Sequence, residues 1–330
     1  MVKNFLLHHS VHKRIVPFLD LLFLIRPTFY FLIWGVIVLG MITMNLCFDN
    51  NFYWNLDFSI NTLAIFSLIT LLIGSAFIIM QKDPSNNPCS LLEESFFSFS
   101  LRQSISNKLF IFSIIMLIFF NWLIAINCLC VFYLLGISFK QKPINWHYNP
   151  YVACLIFLLI SISLFLIGCL IVLDYNGFEN FNFSIDTFIL RFLSYVFTFS
   201  SIILLIIIND MKNGYLFINQ KDEKKFNELF FLISPLFLIS ISLVISLSLN
   251  DPLLSTANIV FSPFFIFSGF RRFNKDIIRS IRYPIFIINF FALSYFPWYS
   301  IPLLITYYLS KYYYWHRFNW HYPTFLVEDD

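Results

Sequence analysis

Runs of about twenty residues that are almost wholly apolar recur along this chain, and they decide what it can fold into. They lie near residues 27–47, 60–81, 151–173, 186–209, 229–249, 253–270 and 284–310 and are built mainly of Phe, Ile, Leu and Ser. A helix needs about 20 residues to cross the hydrocarbon core of a bilayer. Each run meets or approaches that length, so the chain reads as a polytopic, all-α membrane protein. Composition excludes a soluble domain: 59% of residues are hydrophobic and 12% are charged, about half the usual charged share. That much apolar surface needs lipid as its solvent. We read residues 1–330 as a single membrane-embedded helical domain.

The segment 108–137 is too long for one comfortable helix and too short for two full ones. Charge decides its parity. If it enters and returns as two short helices, breaking near Asn121, the loops alternate under the positive-inside rule. Eighteen of the 21 Lys and Arg then lie on one side, leaving Arg191, Lys311 and Arg317 on the other with Asp49, Asp57, Asp174, Glu179, Asp186 and Asp251. A single crossing would strand Lys140 and Lys142 and invert everything after them. The expectation is therefore about nine transmembrane helices with a cytoplasmic N-terminus, in the inner membrane if the source is bacterial.

Other features have plainer readings. Cys47, Cys89, Cys128, Cys130, Cys154 and Cys169 show no CxxC pair, which fits buried structural thiols. Lys3, Lys13 and Arg14 precede an apolar stretch that Arg26 interrupts, with no small-residue cleavage site, so we expect no cleaved signal peptide. A net charge of +3 does not point to nucleic acid. "KYYYWHRFNWHYP" reads as an interfacial aromatic belt, and "RRFNKDIIRSIR" as an interfacial amphipathic helix against anionic headgroups.

Polar residues gather directly against two helix ends. The second helix runs into Gln81, Lys82, Asp83 and Asn87, and the sixth into Asn209, Asp210 and Lys212. By the charge count both emerge on the same side, so one cavity can receive both. Ionisable residues at membrane depth cost a few kcal/mol unless they serve a site or a partner.

The nine-helix plan and these two polar loops resemble the UbiA superfamily of intramembrane prenyltransferases. "LIRPTFYFLIWGVIVLG" looks like the opening Arg-Pro helix of that family. "GSAFIIMQKD" and "TFSSIILLIIINDMKNG" fall where it has its two Asp-rich motifs, and "VFYLLGISFKQK" is similar to its Tyr-containing fourth helix. The C-terminal stretch from "FRRFNKDIIRSIRYPI" to "HYPTF" looks like that of a bacterial subgroup. The resemblance implies transfer of an isoprenyl group from a prenyl diphosphate to an aromatic or lipid-like hydrophobic acceptor, with Mg²⁺. It implies Asp83, Asn87 and Asp210 as metal ligands and Arg26, Gln81, Lys140 and Lys212 as diphosphate contacts. The chain departs from the family pattern where Asn87 and Gly214 replace carboxylates, and Met80 stands for the usual Asn. Four carboxylates become two. The alternative this raises is a non-catalytic UbiA-fold protein that binds lipid or serves as a subunit beside a membrane protein partner.

Overall fold

In hydrocarbon every backbone N–H and C=O must be paired internally, and within one segment only a helix achieves this. The computed structural model describes residues 15, 19, 22, 23, 25, 27–46, 56–80, 99–138, 149–176, 185–212 and 228–318. Among the described residues there are ten α-helices and no strand. They are α1 (Tyr30–Asn45), α2 (Leu56–Met80), α3 (Phe99–Phe120), α4 (Trp122–Phe132, prolonged by a π-turn to Ile137) and α5 (Pro150–Asn176). There follow α6 (Ile185–Lys212), α7 (Glu228–Ser248), α8 (Pro252–Arg271), α9 (Asn274–Tyr295) and α10 (Ser300–Phe318). By length and composition, α2, α3, α5, α6 and α9 are each able to cross a membrane. The chain is an integral, multi-pass membrane protein.

The segment 108–137 does divide, and the break falls at Asn121. Its backbone is extended, and its Oδ1 accepts from the N–H groups of Leu123 at 2.8 Å and Ile124 at 3.3 Å. Such an N-cap contributes about 1 kcal/mol. The same side chain donates from Nδ2 to Asp174 at 2.8 Å, tying the α3–α4 turn to the end of α5. The first helix of the pair is not short: it begins at Phe99 and has 22 residues.

The expected last span, 284–310, is instead two helices. α9 ends at Tyr295, a 3-10 turn occupies Pro297–Tyr299, and α10 starts at Ser300. Proline offers no N–H to the helix and pushes the residue before it out of the α region; Phe296 sits at φ −124°, ψ 83°. The basic run is likewise not a separate surface helix. From Asn274 onward it is the first half of α9, with Asp276, Ile277, Ile278, Ser280 and Ile281 buried. Residues 311–318, expected to follow the last helix, are helical and close α10.

Cross-helix contacts fix which helix ends lie together. Phe58 at the start of α2 meets Tyr175 at the end of α5 and Phe296 before α10. Asn121 meets Asp174, and Arg191 near the start of α6 meets Asp251 before α8. These define one end of the bundle. At the other end, Ser106 of α3 donates to the Ser75 carbonyl near the end of α2, and Gly136 lies against Ala76. α10 returns to that second end, where Tyr313 stacks on Phe23 at 3.8 Å beside Leu19. Lys311 and Arg317, expected on the opposite side, therefore join the cation-rich end. Among the described residues Arg191 is then the one Lys or Arg at the first end, where it faces Asp251 at 3.9 Å.

Two devices hold the centre. α1 and α5 cross with their backbones in contact: a Cβ on Gly40 would lie 2.1 Å from the Phe165 carbonyl oxygen, and one on Gly168 would lie 2.0 Å from that of Ile37. Small residues at a helix crossing permit this approach in membranes, where packing rather than water drives association. Farther along, a buried polar knot joins α6, α7 and α8. Thr198 and Asn258 each bond Ser242, at 2.8 and 2.7 Å, and Ser194 bonds Ser242 at 2.8 Å.

Two outcomes follow from this arrangement. Gly168→Val forces backbone apart at the α1–α5 crossing and is expected to cost about 2–3 kcal/mol, read as a lower midpoint of thermal unfolding in detergent. Reporter domains fused to the N- and C-termini are expected on the same side of the membrane; opposite sides would refute the return of α10.

Candidate functional site

The two ends of the bundle carry different contacts. At the first end several polar groups pair with one another, although the buried Asn45 Oδ1 and Trp298 Nε1 have no hydrogen-bond partner there among the described residues. Asp251 is buried, caps α8 by accepting from the Leu254 N–H at 3.2 Å, and pairs with Arg191. The α7–α8 turn before it is tight: Asp251 N–H donates to Ser246 O and Asn250 N–H to Leu247 O, with Asn250 in the left-handed region at φ 51°. Asparagine tolerates that conformation.

At the second end too, buried polar atoms lack hydrogen-bond partners among the described residues. α2 and α6 both terminate here, α2 at Met80 and α6 at Lys212. Asn209, in the last turn of α6, is 4% exposed, and its Nδ2 has no hydrogen-bond partner there. Arg102 is 9% exposed and its Nε is also without one. Ser106, one turn later on α3, bonds the Ser75 carbonyl, so Arg102 stands beside the final turn of α2. A cation at a helix C-terminus is favourable in itself. Its open donor is a further resource for an anion at that end.

Beneath this end the interior is lined with rings. Tyr30 donates to the Thr70 carbonyl at 2.8 Å and Trp34 to the Thr70 hydroxyl at 3.0 Å. Trp34 and Phe66 both meet Tyr299 edge-on, and the Tyr299 hydroxyl bonds Asn289 of α9. A narrow cavity lies between α1, α6, α8 and α9, lined by Leu39, Tyr195, Phe199, Ala257 and Phe261 among others. Its free volume is about 10 Å³, the space of one water-sized sphere.

Of the residues expected at the site, Arg26, Gln81, Asp83, Asn87 and Lys140 lie outside the described residues. Asp210 and Lys212 belong to the last turn of α6, but their side chains lie outside them too. What is established is the frame: the helix ends that Gln81, Asp83 and Asp210 adjoin are at one end of the bundle. Among the described residues no three His, Cys, Asp or Glu side chains come together to hold a metal.

Arg102 and Asn209 were not among the expected site residues. Their signal in the sequence is spacing. Arg102, Ser106, Ser113 and Leu117 share the buried face of a helix whose other face is Phe and Ile. Asn209 directly precedes the aspartate and follows a run of buried isoleucines.

No family profile and no curated protein matches the sequence. Among solved structures, the chain is similar to one from a study of digeranylgeranylglyceryl phosphate synthase in membranes, with 16% identity and a TM-score of 0.52, covering 82% of this chain and 97% of that one. The likeness is one of fold: an all-α, polytopic helical bundle, as the sequence led us to expect.

The closure of the first end is testable by a double-mutant cycle. Arg191→Leu leaves Asp251 without its ion-pair partner and is expected to destabilise by about 3 kcal/mol. Adding Asp251→Asn is expected to recover part of that loss, measured by thermal unfolding in detergent.

Proposed function

We propose that this chain is a UbiA-like membrane prenyltransferase, working as one membrane-embedded unit across residues 1–330. It transfers an isoprenyl group from a prenyl diphosphate to an aromatic or lipid-like acceptor, with its N-terminus in the cytoplasm. The observation that supports this most is that α2 and α6 finish at the same end of the bundle, each beside an aspartate in the sequence, in a chain that shares its fold with a digeranylgeranylglyceryl phosphate synthase. The bond that breaks joins the prenyl C1 to the diphosphate oxygen. The bond that forms joins C1 to the acceptor, which loses a proton.

The donor set fits one Mg²⁺. Asp83, Asn87 and Asp210 offer two carboxylates and an amide carbonyl, and Mg²⁺ commonly takes one or two protein carboxylates and fills its shell with phosphate oxygens and water. When bound there, Mg²⁺ neutralises the diphosphate and improves it as a leaving group. The other polar groups act on the anion directly. Arg102 and Asn209 are two of several buried donors whose N–H groups have no hydrogen-bond partner among the described residues, and Arg26, Gln81, Lys140 and Lys212 belong to segments that adjoin the same end. Lysine acts there as a point charge rather than a template, so orientation falls to the guanidinium and amide donors.

A second reading is supported by the bulk of the interior. Tyr30, Phe66, Phe199 and Tyr299 are below 2% or 2% exposed, and filled space suits a non-catalytic UbiA-fold protein that binds lipid or joins a membrane assembly. Labelled prenyl diphosphates of several chain lengths, incubated with purified protein and Mg²⁺, separate the two. Diphosphate release is expected, falling about 100-fold or more in Asp83→Asn and Asp210→Asn and abolished by chelation. Arg102→Leu is expected to raise the KM for the diphosphate more than it lowers kcat. No release at any chain length would overturn the catalytic reading.

A further inference from the structure

The α7–α8 and α8–α9 turns solve one problem with different residues. Each reverses the chain through a single residue in the left-handed backbone region. In the first that residue is Asn250 at φ 51°; in the second it is Arg272 at φ 57°. Glycine or asparagine adopts this conformation with far less strain than arginine, so the turn geometry does not account for Arg272. The side chain does.

Around Arg272 the surface is cationic and aromatic. Arg271, Arg272, Lys275 and Arg279 are exposed, with Asp276 the one acidic residue in that stretch. Asp276 is buried and faces Arg271 and Arg279, at 3.6 Å each. The Arg271 guanidinium also lies over the rings of Phe267 and Phe273, at 5.9 and 5.3 Å. Arg271 is thus held in place as scaffold. Arg272 and Lys275 have no ion pair among the described residues, and Arg279 is 60% exposed at its side chain. Phe270 and Phe273 are 79% and 59% exposed beside them.

This turn is at the cation-rich end of a membrane-spanning bundle, between α8 and α9. Exposed rings next to unpaired cations match the boundary between acyl chains and anionic headgroups, with the rings in the apolar layer and the cations against phosphate. We propose that the α8–α9 turn is a binding site for an anionic phospholipid headgroup, with Arg272, Lys275 and Arg279 as the cations that engage it. Phe270 and Phe273 seat against its acyl chains, and Arg271 with Asp276 sets the turn's shape. The site uses other residues than those at the ends of α2 and α6, and the proposal does not depend on prenyl transfer.

The full chain is reconstituted in nanodiscs of phosphatidylcholine with one-fifth phosphatidylglycerol, and lipid retained by the protein is counted by native mass spectrometry. Wild-type protein is expected to retain phosphatidylglycerol above its bulk share. Arg272→Gly relieves the backbone while removing the cation, and with Lys275→Gln it is expected to lower that enrichment about fivefold per charge. Lys275→Gln with Arg279→Gln removes charge within regular helix and is expected to do the same should the Gly variant fold poorly. Removing Lys108 and Lys311, cations distant from the turn, is expected to leave enrichment unchanged. Equal enrichment in wild type and both turn variants, equal loss in the distant control, or displacement of the lipid by millimolar inorganic diphosphate would each overturn the proposal.

Discussion

The crossing of α1 and α5 is the contact around which the bundle is arranged. At Gly40 and Gly168 the two backbones touch, each glycine occupying the space where a side chain would strike the carbonyl of the other helix. No hydrophobic force drives helices together in lipid, so close packing must do so. That requirement explains glycine in a sequence otherwise full of bulky rings. It also sets the positions of the other helices: α9 packs along α1, while α4 and α6 pack along α5, and α2 is joined to α1 through Tyr30 and Trp34 on Thr70. The ring layer of Tyr30, Trp34, Phe66 and Tyr299 fills the space this leaves.

Much of this was legible in the sequence, because the solvent imposes it. Twenty apolar residues in lipid become a helix, and the runs from 60 to 81 and from 186 to 209 correspond to α2 and α6. The break at Asn121 was legible too, since an amide in an apolar stretch has few uses other than capping. The break at Phe296 was not. "FALSYFPWYSIPLL" is apolar on both sides of its turn, and the turn itself is buried, so hydropathy runs through it without a dip. Pro297 was the only mark. Missing it placed Lys311 and Arg317 on the wrong side, although the positive-inside rule, applied more strictly, already disfavoured two stranded cations.

The site was legible only as chemistry, not as a set of contacts. Carboxylates at two helix ends are visible in any alignment-free reading, because Asp83 and Asp210 interrupt or follow apolar runs. Arg102 and Asn209 are ordinary by comparison: a cation near a helix start and an amide near a helix end. Only burial separates them from solvated residues, and for Arg102 that burial comes with α3 packing against α2 through Ser106 and Ser75. A side-chain count cannot supply that.

Polar contacts at the two ends of the bundle come from different helices. At the first end Asp251 pairs with Arg191, Asp174 with Asn121, and rings at Phe58, Tyr175 and Phe296 close the gap between helices. These cross-helix pairs are a means of fixing helices in register in a membrane, although Asn45 Oδ1 and Trp298 Nε1 have no hydrogen-bond partner there among the described residues. At the second end, buried donors on α3 and α6 lack partners among the described residues. An unmet buried donor costs about 1–3 kcal/mol, and a fold retains that cost where a ligand relieves it. At the second end that ligand would be the diphosphate of the proposed reaction, whose charged leaving group must depart to water while a lipid product stays behind.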